Sequence, residues 1–212
     1  MISTLISFTS LFAGVFSLLT GIGLLGTHLS LRMEMEGYSS QIAGLILSAY
    51  FLGNLIGSLV CHRLIKLVGH IQSFAAFAAV GTAIVMLHGL YMSAITWGIL
   101  RFLMGMTIMG LYMTIESWLN ERTTSDIRGR IFAIYMVISY LAVGSGQLLL
   151  NVADVQGPAL FNIAGFLLAL CLVPVLTSRS VHPELPETTH FNLLALLKKA
   201  PMGMLGCLTS GL

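Results

Sequence analysis

Residues 71–118 read IQSFAAFAAVGTAIVMLHGLYMSAITWGILRFLMGMTIMGLYMTIESW, an apolar run interrupted only by Arg101 and Glu116. As one helix it would be roughly 70 Å long at 1.5 Å per residue, and a bilayer core of about 30 Å takes about 20 helical residues. The run therefore predicts two membrane helices joined by a short turn. We place that turn near Tyr91 to Thr96, where Tyr91, Ser93 and Trp97 have the interfacial character of membrane ends.

The same reasoning extends outward in both directions. Charge-free windows at Met1–Leu31, Gly37–His62, His70–Leu100, Phe102–Ile115, Ile131–Ala153 and Val155–Ser178 predict six helices, at about 5–28, 40–61, 71–91, 97–118, 131–151 and 158–178. The fold class is an all-α six-helix transmembrane bundle. Pro158 suits a helix start and Pro174 predicts a kink in the sixth helix. The N-terminal stretch lacks the basic region and cleavage site of a removable signal peptide and reads as a membrane helix.

Composition agrees. Of 212 residues, 57% are hydrophobic and only 8% charged, too few to cover a surface in water. The net charge of +2 is too small for a nucleic-acid footprint. Cys61, Cys171 and Cys207 lie far apart in apolar runs and read as buried, inert thiols.

Three segments follow: a bundle over 1–178, a polar connector over 179–200 ending in Lys198 and Lys199, and an apolar stretch over 201–212 that reads as the start of a seventh helix. Lys and Arg sort to one side of the bundle, with Arg63 and Lys66 after helix two, Arg122, Arg128 and Arg130 after helix four, and Arg179, Lys198 and Lys199 after helix six. The positive-inside rule then makes the N-terminus and the connector cytoplasmic.

Helix four carries the strongest functional signal. Arg101, Gly105, Met109, Tyr112, Glu116 and Asn120 fall within about 100° of one helical face. A charge in hydrocarbon costs a few kcal/mol even on the insertion scale, so Arg101 and Glu116 need partners or a wet cavity. They lie about 22 Å apart along the axis and cannot meet each other. Snorkelling or structural pairing stands beside a transport role for each, with Glu116 placed toward the cytoplasmic gate.

Helix five offers a second stripe, Tyr140, Gly144, Gln147 and Asn151, suited equally to a solute path and to gluing helices together. Gly53-x-x-x-Gly57, with Asn54 between, reads first as a packing face. Gly21-x-Gly23-x-x-Gly26 has the dinucleotide spacing, but no strand precedes it and no acidic residue follows at the right distance, so close helix packing is preferred. His28 and His88, near the outer ends of helices one and three, read as interfacial hydrogen-bonders ahead of proton relays. No Walker A motif or zinc-type histidine pair appears, so neither a cofactor nor a metal is expected, nor is enzymatic catalysis.

The six helices, the basic turn after helix two, Arg101-x-x-x-Gly105 and Arg128-Gly-Arg130 resemble the major facilitator superfamily across nearly the whole chain. Ser48-Ala-Tyr50-Phe-Leu-Gly53-Asn54-Leu-Ile-Gly57, Ile115-Glu116-Ser117 and Gly146-Gln147-Leu-Leu are similar to its YcaD-like bacterial branch. The resemblance implies the N-terminal half of a secondary active transporter of the bacterial inner membrane. Such a protein moves a small organic solute by alternating access, with protons as a candidate coupling ion and a second six-helix half as partner.

It also implies a cytoplasmic gate at Arg63, Lys66, Gly69, Arg128 and Arg130. The family pattern Gly-x-x-x-Asp-Arg-x-Gly keeps only Gly69 here, and Lys66 fills the acidic slot. The usual latch is then absent or rebuilt with reversed signs. Helix five lacks the Gly-Pro pair of proton-driven drug antiporters. The rival readings are a membrane interaction or sensory protein that reuses the bundle, or an inactive truncated transporter.

Overall fold

The computed structural model describes residues 2–177, with side chains from residue 8 onward. The connector and the seventh-helix stretch lie outside the described residues, as does Cys207. The helices are α1 (Ile2–Met35), α2 (Ser40–Val68), α3 (His70–Leu90), α4 (Ala94–Arg122), α5 (Ser125–Leu148), α6 (Ala159–Leu170) and α7 (Leu172–Leu176). A single 3₁₀ turn, Leu149–Asn151, extends α5. Since α6 and α7 form one span, six helices among the described residues are long and apolar enough to cross a membrane.

The expected turn falls where the sequence placed it. Residues 91–93 separate α3 from α4, and the Ser93 side chain caps α4 by accepting from the Thr96 amide. Trp97 departs from expectation. It is fully buried against Tyr38, His88 and Phe161, and its indole donates to the His88 carbonyl at 3.2 Å. A buried polar handle with an internal partner has no need of the membrane interface.

Helix ends overrun the apolar windows because capping groups, rather than hydrophobicity, stop them. α1 continues past Leu31 through the i,i+4 pair of Arg32 and Glu36 at 2.9 Å, and ends where Gly37 takes φ 75°. α2 runs two turns beyond its predicted end to Gly69, whose φ of 87° lets its amide close on the Ile65 carbonyl. Pro158 does flank a helix start, as the residue before α6. The break near Pro174 comes at Cys171, where α6 gives way to α7. Pro174 has no N–H for the Leu170 carbonyl, and its ring crowds that turn.

The helices pack in a fixed order. α2 lies along α4, α4 along α3, α3 along α6, α6 along α1, and α1 along α5. α1 is the most enclosed span, with 67% of its apolar window buried, while α2 and α5 are buried over only 22% and 17%. The flanking pair therefore presents broad apolar faces outward, including Leu45, Phe51, Leu55 and Leu59 on α2 and Val137, Tyr140 and Leu141 on α5.

Small residues set the two tightest crossings. A Cβ at Gly53 or Gly105 would overlap the carbonyl oxygens of Phe102 and Tyr50, so α2 and α4 meet backbone to backbone. On the other side a Cβ at Gly23 would stand 2.7 Å from the Val143 oxygen, and one at Gly146 2.7 Å from the Leu24 nitrogen. Gly53-x-x-x-Gly57 is thus a packing face, as its spacing suggested.

Candidate functional site

The charged residues of α4 find different surroundings. The half-buried Arg101 guanidinium lies 4.6 Å from the centroid of the Tyr50 ring on α2, with Asn54 one turn further along that helix. A cation over a tyrosine face in this geometry contributes about 0.5–2 kcal/mol. The Arg101 Nε is buried without a hydrogen-bond partner among the described residues. Tyr50 entered the sequence reading only as part of the stretch Ser48–Gly57 that carries the resemblance, with no role assigned to it.

Glu116 stands elsewhere. It lines a cleft of about 440 Å³ between α1, α4 and α5, together with Leu19, Met109, Tyr112, Met113, Tyr135, Met136, Ser139, Tyr140 and Val143. Three residues expected from the sequence, Tyr112, Glu116 and Tyr140, are brought together here. Met109, already on the α4 stripe, joins them, whereas Met113, Met136, Tyr135 and Ser139 were missed, because a Met or Tyr on an apolar helix reads as ordinary core. The cleft exists because α1 and α5 are pinned at the Gly23–Gly146 crossing, while α4 and α5 scarcely touch below it.

Among the described residues the Glu116 carboxylate has no ion pair or hydrogen bond, and the side chain is exposed toward the cleft. The Ser139 hydroxyl is occupied, donating to the Tyr135 carbonyl at 2.7 Å. Asn120, one turn beyond Glu116, is exposed and does not line the cleft.

Gln147 is engaged in holding helices together. It accepts from the Thr27 hydroxyl at 2.6 Å and donates to the Gly23 carbonyl at 3.1 Å, both on α1. Tyr140 and Gln147 share a face of α5, but α1 crosses that face between them.

At the end bearing the α2–α3 and α4–α5 turns, Arg63, Arg128 and Arg130 are exposed and Lys66 is half-buried. Arg128 donates to the Thr123 carbonyl at 3.3 Å. The contact that ties these turns together involves His70, the first residue of α3. Its Nε2 lies 2.8 Å from the Ser117 hydroxyl and its Nδ1 3.7 Å from the Glu121 carboxylate, both on α4.

Comparison with known proteins now decides the family. Residues 4–212 match the profile of the Major Facilitator Superfamily. The chain belongs to that superfamily. It is 32% identical over 207 residues to an uncharacterized transporter of this type, YcaD, from Escherichia fergusonii. It is 29% identical over 206 residues to the uncharacterized transporter YE1530 of Yersinia enterocolitica. Each alignment covers 95% of this chain and 53% of the relative, so the chain spans about half the length of the curated relatives it matches. With bacterial relatives and six spanning helices, it is a multi-pass protein of the bacterial inner membrane.

Within the superfamily's pattern, Gly69 keeps its place for a backbone reason, the positive φ that ends α2. The His70 contact to Ser117 and Glu121 provides a clasp between α3 and α4 in the same turn region. Two of the three glycines of the α1 triplet face neighbouring helices, Gly21 against the Ala164 carbonyl of α6 and Gly23 against α5, while a Cβ at Gly26 would meet nothing within 4 Å among the described residues.

The two outer histidines differ from expectation in being fully buried. His28 Nε2 lies 3.0 Å from the Val155 carbonyl, which Arg32 also contacts at 3.3 Å, and His88 Nδ1 lies 2.9 Å from the Ile84 carbonyl. Both rings pack on Phe161. They fix the 5–6 loop and the end of α3 inside the bundle instead of facing headgroups. Cys61 and Cys171 are buried as expected.

Proposed function

We propose that the chain forms the N-terminal half of a secondary active transporter. In this reading residues 1–178 make one wall of an alternating-access path, 179–200 a cytoplasmic connector, and 201–212 the start of the second half. The observation that carries it is the cleft between α1, α4 and α5, where Glu116, exposed beside Tyr112 and Tyr140, has no countercharge among the described residues. A carboxylate in the membrane region with no partner of its own is costly unless it serves a bound solute or a proton.

Further support comes from depth. Met109, near the middle of α4, lies at one end of the lining and Glu116 toward the other, so the cleft reaches from about mid-membrane to one side, where transporters of paired bundles bind. Arg101, held over Tyr50 with Asn54, is read as a positioning group at the α2–α4 crossing. Arg63, Lys66, Gly69, Arg128 and Arg130, with the His70 clasp, are read as the cytoplasmic gate. Gln147 and Asn120 are withdrawn from direct solute contact, Gln147 because its amide is spent on α1.

The test is flux in vesicles carrying the protein, with and without a proton gradient. If Glu116 exchanges protons during the cycle, Glu116→Gln abolishes gradient-driven accumulation and leaves counterflow exchange largely intact. A structural glutamate instead gives lower folded yield with unchanged transport per folded molecule. No flux of any solute under either condition refutes the transporter reading and leaves the sensory or inactive-product alternatives.

A further inference from the structure

The cleft has a one-sided chemistry. Its lining carries three tyrosines (Tyr112, Tyr135 and Tyr140), three methionines, and a single charged side chain, the carboxylate of Glu116. We infer that this cleft binds an organic cation with an apolar body, the charge set against Glu116 and the tyrosine faces and the body packed on Met109, Met113 and Met136. The inference names the solute class for the site of the transporter reading and rests on that reading only for movement across the membrane.

Four observations carry it. The volume of about 440 Å³ suits a small organic molecule rather than an inorganic ion. The sign of charge is unopposed, because Glu116 has no ion pair among the described residues and Arg101 on the same helix is about 22 Å away, held over Tyr50. Ring faces attract cations, and the protein already uses this device where the Arg101 guanidinium sits 4.6 Å over a tyrosine. Methionines are soft and adaptable, so they pack against bodies of varied shape.

The alternatives fit less well. An anion would meet the Glu116 carboxylate with no basic side chain in the lining. A sugar would find few partners for its hydroxyls, since apart from the tyrosine hydroxyls and Glu116 the lining offers Ser139, already donating to Tyr135.

A pair of probes with the same shape and opposite charge isolates the claim. Equilibrium binding of tetraphenylphosphonium and of tetraphenylborate is measured on the purified full chain in neutral detergent, for wild type, Glu116→Gln and Tyr140→Leu. Tyr140 is 72% exposed, so its replacement leaves packing undisturbed. Melting curves verify that both variants fold. We expect wild type to bind the phosphonium and to ignore the borate. Glu116→Gln should weaken phosphonium binding about tenfold or more, and Tyr140→Leu roughly threefold or more.

Equal binding of both ions, preference for borate, no phosphonium binding by wild type, or wild-type binding by both folded variants overturns the inference. Vesicle flux separates the two readings. Flux of a neutral or anionic solute without phosphonium binding refutes the cation inference alone. Variant-sensitive phosphonium binding without flux of any solute upholds the inference and refutes the transporter reading.

Discussion

Gly144 and Gly146 lie two residues apart on α5 and face different things. A methyl added at Gly144 meets nothing within 4 Å. At Gly146 it would stand 2.7 Å from the Leu24 nitrogen and overlap the Thr20 carbonyl oxygen. Both obstacles are backbone atoms of α1, which cannot rotate aside as a side chain does. Relaxing the Leu24 contact alone to about 3.5 Å requires the helices to part by roughly 0.8 Å at the crossing, and the closer Thr20 oxygen demands more.

Gly→Ala gains roughly 0.5–1 kcal/mol of helix propensity at either position, so that gain cancels when the two variants are compared. What remains is the overpacking cost at Gly146, about 1–3 kcal/mol. At a central ~2 kcal/mol, Gly146→Ala should melt roughly 4–8 °C below Gly144→Ala in a chain of this size. Thermal unfolding of the purified variants in one detergent, followed by tryptophan fluorescence, measures the gap. If the two melt together, or if Gly144→Ala is the less stable, the backbone crossing of α1 and α5 is wrong.

Two further outcomes follow from other contacts. Gln147→Leu removes both amide contacts to α1, and at about 0.6–1.7 kcal/mol for each hydrogen bond between membrane helices the two together should lower the melting temperature by roughly 2–14 °C. Phosphonium binding should stay within about twofold of wild type, and a large binding loss with unchanged stability would return Gln147 to the solute path. Cysteines placed at Arg128 and at Glu36 test the proposed orientation. The first should react only with reagents that reach the cytoplasm and the second from outside, because the basic turns belong on the cytoplasmic side, and reversed labelling refutes it.

The spans were legible because a charge-free window of about 20 residues has few other fates. Their ends were not, since the Arg32–Glu36 pair, Gly37 and Gly69 carry α1 and α2 beyond their apolar runs. The inward stripe of α4 was legible from helical period alone and delivered Tyr112 and Glu116. That Gln147 bonds to α1 was not legible, because period assigns a face of α5 but cannot say where α1 crosses it. His70 was invisible for a similar reason. Its partners Ser117 and Glu121 lie on another helix and reach it only once α3 and α4 are packed.

The two glycine crossings are one construction used twice. Gly146 faces Thr20 and Leu24 as Gly53 faces Phe102 and Met106, and Gly23 faces Val143 as Gly105 faces Tyr50. The exchange of α1 with α4 and of α5 with α2 also maps the α1–α6 packing onto that of α4 with α3, the signature of an inverted three-helix repeat. Carried along the helices, the register makes Gln147 the counterpart of Asn54, one polar residue at each crossing. It also sets Leu19 opposite Arg101 and Val143 opposite Tyr50. The cation held over a ring at one crossing is thus replaced by two apolar residues at the other, and both line the cleft. An arginine at position 19 would have brought Glu116 an internal counter-ion. The divergence of the two repeats at these positions leaves that carboxylate without an internal counter-ion among the described residues, which is what the proposed cation site requires.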